Sequence, residues 1–451
     1  MGNNYDVTSN NYDIIWALSD LLRSVFALDK ATPAVIRLVF IKYAADNYLY
    51  AESKEEMRLY ADLQKSIAGR NVQEFVDSSS AVLDMIDRKI HANEVLARAY
   101  SAYPHDLLMG VFKKSNNRST FTEQILSELS AYDLSESDEN AGQLYDALKA
   151  YVYRSLSIAG KYGSNGTNES LNSLAKKVLN VKENDTFMDF ACGYGLSALE
   201  ITNGNAEHLY LSDIDEENLQ IAIMISIIQG KAVEKTTFKL ENIYKREETP
   251  HLVSKAFTDF PLAPRLDKTE YPYSDGTIFA IHRLVESLDE NGRSMITVHP
   301  GLLYKTNKET NEFRDYLIEN GLLEAIVTLP PIIAGTTVNL CLLVLSKKKN
   351  TDVLFVDASN NDIIQFSNNA RSAKSDLLDT GVDKLAEIIL EKEEIMGVSK
   401  RVSNAEVQSK NTFVPASFIE TPKPTNAISS KEINDKLNDL YEQLFKAQKN
   451  L

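Results

Sequence analysis

An aspartate, a Gly-x-Gly and a second aspartate carry the first legible chemistry in this sequence. The apolar run Thr186-Phe187-Met188 ends in Asp189 and passes through Phe190-Ala191-Cys192-Gly193-Tyr194-Gly195 into Leu196. That wording is a strand, a glycine turn and a helix start, the pattern of a nucleotide-binding turn. Glycines are needed where the backbone turns sharply and a ligand approaches a position that a Cβ would block. A phosphate loop avoids a carboxylate and supplies Gly-Lys-Ser/Thr, which is absent here; an acid ahead of the glycines suits a cationic ligand such as the sulfonium and amino group of S-adenosylmethionine. Asp213, 24 residues after Asp189, ends the next apolar run Leu209-Tyr210-Leu211-Ser212 and is placed to accept ribose hydroxyls. Taken without Asp213, the glycines make only a tight βα turn. Cys192 has no companion histidine and reads as a small buried residue.

These groups need a sheet to hold them. From about Gly160, short apolar runs alternate with helix-like stretches: TFMDF, LYLSD, KAFTDF, SMITV, LEAIVTL, NLCLLVL and VLFVD. This alternation predicts βα units around a largely parallel sheet. Helical patterns run over 216–229 and 277–288, the second stopped by an Asn291-Gly292 turn. NLCLLVL and VLFVD, joined by the polar SKKKNTD, read as a hairpin that makes the sheet mixed at one edge. Ahead of the sheet the chain reads as helical: Ile15, Leu18, Leu22 and Val25 share one face, Pro33 marks the start of the next helix, and further helices fit 74–90 and 121–129. The expected fold is α/β, with a helical domain over 1–155, a Rossmann-like domain with a mixed sheet over 156–375, a polar linker over 376–427 and a C-terminal helix over 428–451. That helix opens on a Ser429-x-x-Glu432 capping box and carries Ile433, Leu437, Leu440 and Leu444 as a coiled-coil seam.

Composition narrows the classes. With 48 Lys and Arg against 64 Asp and Glu, the formal charge of −16 excludes a free-standing basic nucleic-acid binder. The polar start MGNNYDVTSNNYD lacks an apolar signal core, and the longest wholly apolar run, Leu340–Leu345, cannot span a bilayer. A cytoplasmic protein without membrane contact is expected. Two cysteines make no disulfide framework, and the histidines show no metal-ligand spacing, so no metal site is expected.

The ordered segments together resemble the methylation subunits of type I restriction-modification systems, which are N6-adenine DNA methyltransferases. Asp189-Phe190-Ala191-Cys192-Gly193-Tyr194-Gly195 is similar to that family's D-P-A/T-C-G-S-G cofactor loop. Ile15-Trp16-Ala17-Leu18-Ser19-Asp20-Leu21-Leu22-Arg23 matches its N-terminal L-W-x-x-A-D-x-L-R, and 292–303, 313–317, 323–330 and 353–359 continue the likeness in order. The resemblance implies S-adenosylmethionine as cofactor, held by Thr167, Asp189, Ala191, Gly193, Gly195, Asp213 and Asn242. It implies duplex DNA as substrate, a specificity subunit that docks on the C-terminal helix, a restriction subunit, and two methylation subunits per complex.

The chain departs from the family at chemically demanding positions. The catalytic N-P-P-F/Y falls on Asp259-Phe260-Pro261-Leu262. An exocyclic purine amine is a poor nucleophile until acceptors hold its N–H groups, a side-chain oxygen from the first position and a main-chain carbonyl from the second, while an aromatic at the fourth stacks on the flipped base. Asp259 keeps an acceptor and any residue at 260 keeps the carbonyl, but Leu262 cannot stack as an aromatic does, and Phe260 lacks the rigidity of proline. Upstream, G-E/Q-F-Y-T-P falls on Gly163-Ser164-Asn165-Gly166-Thr167-Asn168, where only the first glycine and Thr167 survive. Two functions stand: an adenine-N6 methyltransferase, which the retained Asp-x-Pro and cofactor acids favour, and a catalytically impaired subunit acting in assembly or DNA binding.

Overall fold

The computed structural model describes residues 12–91, 95–96, 118–159, 166–231, 233–245, 250–261, 264–332, 339–369, 374–420 and 437. Among the described residues the helical part ahead of the sheet holds α1 (Asp13–Arg23), α2 (Leu28–Asn47), α3 (Lys54–Ala68), α4 (Val72–Ile90), α5 (Arg118–Ala131) and α6 (Gln143–Ala159). Local chemistry sets their ends. Ser53 and Glu56 form a reciprocal capping box at α3, and the Asn71 side chain accepts from the Glu74 N–H at α4. Helix α2 starts at Leu28, five residues before Pro33, which lies inside it. Burial of Ala31, Ala34, Val35 and Leu38 draws the helix start upstream. A proline there forfeits one backbone hydrogen bond close to the helix start rather than initiating the helix. Trp16 packs edge-on to Tyr151 at 5.3 Å, and the Tyr151 hydroxyl donates to Ser19 at 3.2 Å, tying α1 to α6.

The sheet is built from β1 (Thr186–Asp189), β2 (His208–Asp213), β3 (Thr236–Leu240), β4 (Val253–Thr258), β5 (Leu288–Val298), β6 (Leu323–Thr328), β7 (Cys341–Ser346), β8 (Asp352–Asp357) and β11 (Ser399–Ser403). Their order is β11-β8-β6-β7-β5-β4-β1-β2-β3; β9 (Phe366–Asn369) and β10 (Lys374–Leu377) pair separately. Strands β1 to β5 are mutually parallel, β7 is antiparallel to β5 and β6, and β11 is antiparallel to β8. Along β7 the pleat sends Leu342 and Val344 into one apolar layer and Leu343 and Leu345 into the other, so both faces are covered. The helices of this part are α7 (Glu169–Leu179), α8 (Leu196–Thr202), α9 (Glu216–Gln229), α10 (Gly276–Ser287), α11 (Gly301–Tyr304), α12 (Lys308–Glu319), α13 (Asp379–Glu391) and α14 (Asn404–Lys410).

Three sequence expectations are corrected. Strands β7 and β8 do not form a hairpin, because β6 lies between them and pairs with both. Asn291-Gly292 lies inside β5, where pairing to β4 jumps from Leu288 to Arg293. A Cβ on Gly292 would stand 2.7 Å from that of Leu288, so the bulge requires glycine. The stretch 376–427 is no linker up to residue 420: α13 buries Val382, Leu385, Ile388 and Ile389, and β11 closes one sheet edge with Val402 buried. The C-terminal helix expected over 428–451 lies outside the described residues except for Leu437.

The order in which successive strands are added reverses between β1 and β4, which are themselves parallel. β2 and β3 lie to one side of β1, and β4 and β5 to the other. The carboxyl ends of β1 and β4 therefore part at a crevice, the place where open α/β sheets take ligands.

Candidate active site

A cavity of about 320 Å³ opens at that crevice. Thr167, Ala191, Gly193, Asp213, Asn242, Asp259, Phe260 and Pro261 all line it, so most of the expected site residues meet there. Asp189 lies beneath the wall, buried, with its carboxylate accepting from the Ala191 N–H at 3.1 Å and the Thr258 hydroxyl at 3.3 Å. Gly195 is not on the wall. It begins α8 at φ +77°, and a Cβ there would meet that of Ala222 in α9 at 3.0 Å, so this glycine serves helix packing. Leu262 and residues 163–165 lie outside the described residues.

Asp213 organises the turn before any ligand arrives. Its Oδ2 accepts from the Gly193 N–H at 2.8 Å, and its Oδ1 from the Asp215 N–H at 2.8 Å and the Asn218 amide at 3.4 Å. A carboxylate offers about four lone pairs, so capacity remains for a hydroxyl. Asp215 caps α9 through the N–H groups of Glu217 and Asn218, which brings that first turn to the rim. Asn242 accepts from the Tyr244 N–H at 3.0 Å in the 3-10 turn Ile243–Lys245. Ile214 and Ile243 add apolar surface; Ile214, at 66% exposure, is a large apolar side chain held open at the cavity lip.

The catalytic segment follows β4. Asp259 is half-buried, and its Oδ1 accepts from the Thr297 hydroxyl of β5 at 2.6 Å; the Thr167 side chain is a second hydrogen-bond partner. Phe260 turns its ring inward at 5% exposure, edge-on to Phe190 at 5.8 Å and Tyr244 at 6.1 Å. Packing thus restrains the backbone that a proline ring would restrain covalently. Tyr244 in turn stacks on Phe279 at 5.6 Å.

The electrostatics point one way. Burial pushes the Asp189 carboxyl up to about 8, against the pull of the Ala191 N–H. Burial also raises Asp213, opposed by the Asp215 and Gly193 N–H groups, and raises Asp259, opposed by Thr297 and Thr167. Among the described residues the wall holds no Lys, Arg or His. Carboxyls that burial disfavours as anions, with no basic side chain beside them, fit a cationic ligand and repel a phosphate. The cavity volume falls in the range of about 300–1,000 Å³ usual for small-molecule sites. Cys192 is buried with its thiol pushed upward, first by burial and then by Asp213 and Asp189, as befits a packing residue. Among the described residues no cluster of three His, Cys, Asp or Glu is suited to a metal ion.

Thr297, Ile214, Asn218 and Tyr244 are not among the site residues expected from the sequence. Ile214 had a signal, an apolar residue directly after the acid that ends β2. Thr297 had none, because only the adjacency of β4 and β5 brings it to Asp259.

A doubly wound sheet with an acidic cavity at its switch point, fitted to a nucleoside carrying a sulfonium, defines a Rossmann-like S-adenosylmethionine-dependent methyltransferase. The chain belongs to the N-6 DNA methylase family, whose model matches residues 137–422. It is therefore an enzyme that methylates adenine N6 in DNA from S-adenosylmethionine. It is 21% identical over 434 residues to the type I restriction enzyme MpnII methylase subunit of Mycoplasma pneumoniae, covering 86% of this chain and 78% of that one. In fold it resembles the type I restriction-modification methyltransferase subunit of Streptococcus thermophilus, with TM-score 0.75, 16% identity and coverage of 91% of this chain and 99% of that one. A chain from a structure of a type I restriction-modification system has TM-score 0.61 and 12% identity, with 98% of each chain covered. Among the described residues no helix is long and apolar enough to cross a membrane.

Proposed function

We propose that this chain is the methylation subunit of a type I restriction-modification assembly and methylates adenine within duplex DNA sites chosen by a specificity subunit. The observation that carries the reading is the acidic switch-point cavity with Asp259 at its edge, within a chain whose curated relative is a type I methylase subunit. When bound there, S-adenosylmethionine supplies a methyl group activated by positive sulfur. Asp213 accepts a ribose hydroxyl, Gly193 and Ala191 let the ligand approach the turn, and Asn242 offers its amide NH₂ toward the adenine ring. Asp189 faces the positive end from beneath. Asp259 and the main-chain carbonyl of Phe260 accept the two N–H groups of the target amine, which turns its lone pair toward the methyl group. The fourth position of the sequence motif, Leu262, brings no aromatic ring to stack on the base. On this reading a helical domain over 1–155 precedes a methyltransferase domain that begins at 156 and carries the chemistry.

In the proposed assembly two copies of this chain join a specificity subunit and accept a restriction subunit, in the cytoplasm. Titration calorimetry tests the site. The folded chain should bind S-adenosylmethionine, and Asp213→Ala should weaken binding about tenfold or more, the loss of charge-assisted hydrogen bonds. No heat of binding at millimolar ligand from folded protein would contradict the reading.

A further inference from the structure

The catalytic segment holds a carboxylate where the family holds an amide, and an amide cannot be replaced by a carboxylate without consequence. An asparagine has chemically distinct oxygen and nitrogen, and neighbours that recognise them fix which atom accepts. A carboxylate is symmetric, and in a poorly hydrated site it gains a proton and becomes a donor. Two hydroxyls oppose both tendencies at Asp259. Thr297 donates to Oδ1 at 2.6 Å from β5, and Thr167 bonds the same carboxylate from the segment before α7. Both threonines are buried, so neither hydroxyl competes with bulk water.

We propose that Thr297 and Thr167 are positioning residues for methyl transfer, gripping the Asp259 carboxylate as an ionised, fixed acceptor for the target amine. Thr167 thereby acts on the catalytic acid rather than as the cofactor contact that the family resemblance implies. The inference rests on the reading of Asp259 as that acceptor. Asp189, at the end of β1, interacts with Asp259, and the cavity that Asp259 lines also bears Asp213, Asp215 and Glu241, with no basic side chain among its described lining residues. His299, just beyond β5, is engaged by Asp275 at 3.3 Å. The hydroxyls are thus the donors that hold the charge on Asp259, consistent with their downward pull on a carboxyl that burial raises.

The test is steady-state kinetics against pH, on the chain assembled with its specificity subunit and a duplex bearing its recognition site in unmethylated form. Thr297→Val preserves shape and removes the donor. It should lower kcat about tenfold, leave KM for DNA and for S-adenosylmethionine nearly unchanged, and move the acid limb of kcat upward by about one pH unit. Thr297→Ser should restore both, and Thr167→Val should act in the same direction. Asp259→Asn, which keeps an acceptor and cannot take a proton there, should remove the limb. Wild-type kcat and limb in Thr297→Val, or failure of serine to rescue a loss, overturns the proposal. Full activity in Asp259→Ala instead overturns the assignment of Asp259 and the proposal with it.

Discussion

Asp189 is the residue at which charge, burial and ligand meet most sharply. Its carboxyl is held up to about 8 inside the fold, against the usual value near 4 for an exposed aspartate. Between those values the native state keeps a proton that the unfolded chain has lost. Stability of the ligand-free protein from this group is therefore greatest below about pH 4 and declines as pH rises toward 8. A cationic ligand reverses the preference, because it favours the ionised carboxyl. Binding of S-adenosylmethionine near neutral pH should release protons and tighten as pH rises. Calorimetry in buffers of different ionisation enthalpy should show this release in the wild type and a smaller one in Asp189→Asn; equal release would contradict the assignment. Asp189, Gly193 and Asp213 were legible in the sequence because strand, turn and strand place them by local spacing. The role of Phe260 was not. From sequence it was a lost proline, whereas its ring supplies restraint by packing between Phe190 and Tyr244.

Helix α9 links the helical domain to the cofactor site. Its first turn, with Asp215 and Asn218, forms part of the cavity wall, and α2 holds that turn from the far side. Arg37, at 5% exposure on α2, meets Glu217 at 3.1 Å and Gln220 at 3.0 Å, with Lys30 at 3.6 Å from Glu217. Losing the Arg37 hydrogen bonds to Glu217 and Gln220 should cost about 2 kcal/mol in Arg37→Met and loosen the end of the cavity that holds Asp213. Thermal denaturation should report the first effect, and a severalfold weaker S-adenosylmethionine isotherm the second. Unchanged cofactor affinity would sever the link between the two parts. The sequence exposed the helices but not this contact, which joins residues 180 positions apart. Strand β11 escaped notice for another reason. An edge strand reading Ser-Lys-Arg-Val-Ser buries little apolar surface, so its composition is that of a loop. Helix α13 carried a legible period at Val382, Leu385, Ile388 and Ile389, but its polar surroundings hid it.

Across the whole chain the net charge of −16 opposes DNA, although the family acts on it. Long-range attraction to phosphates must then come from local patches and from another subunit. The chain alone should bind duplex DNA weakly at physiological salt, and the specificity subunit should tighten binding by roughly a hundredfold or more. Fluorescence anisotropy with and without that subunit measures the difference, and equal affinities would place the DNA-binding charge on this chain. The acidic cavity and Asp259 together should work as an adenine-N6 methyltransferase despite the altered tetrapeptide. Detection of modified bases in genomic DNA tests it most directly, comparing cells that carry the complete assembly with wild-type chain and with Asp259→Ala. The wild type should mark one sequence motif with N6-methyladenine, and Asp259→Ala should erase that mark. A methylation pattern identical in both would contradict the account and leave this chain as an assembly subunit.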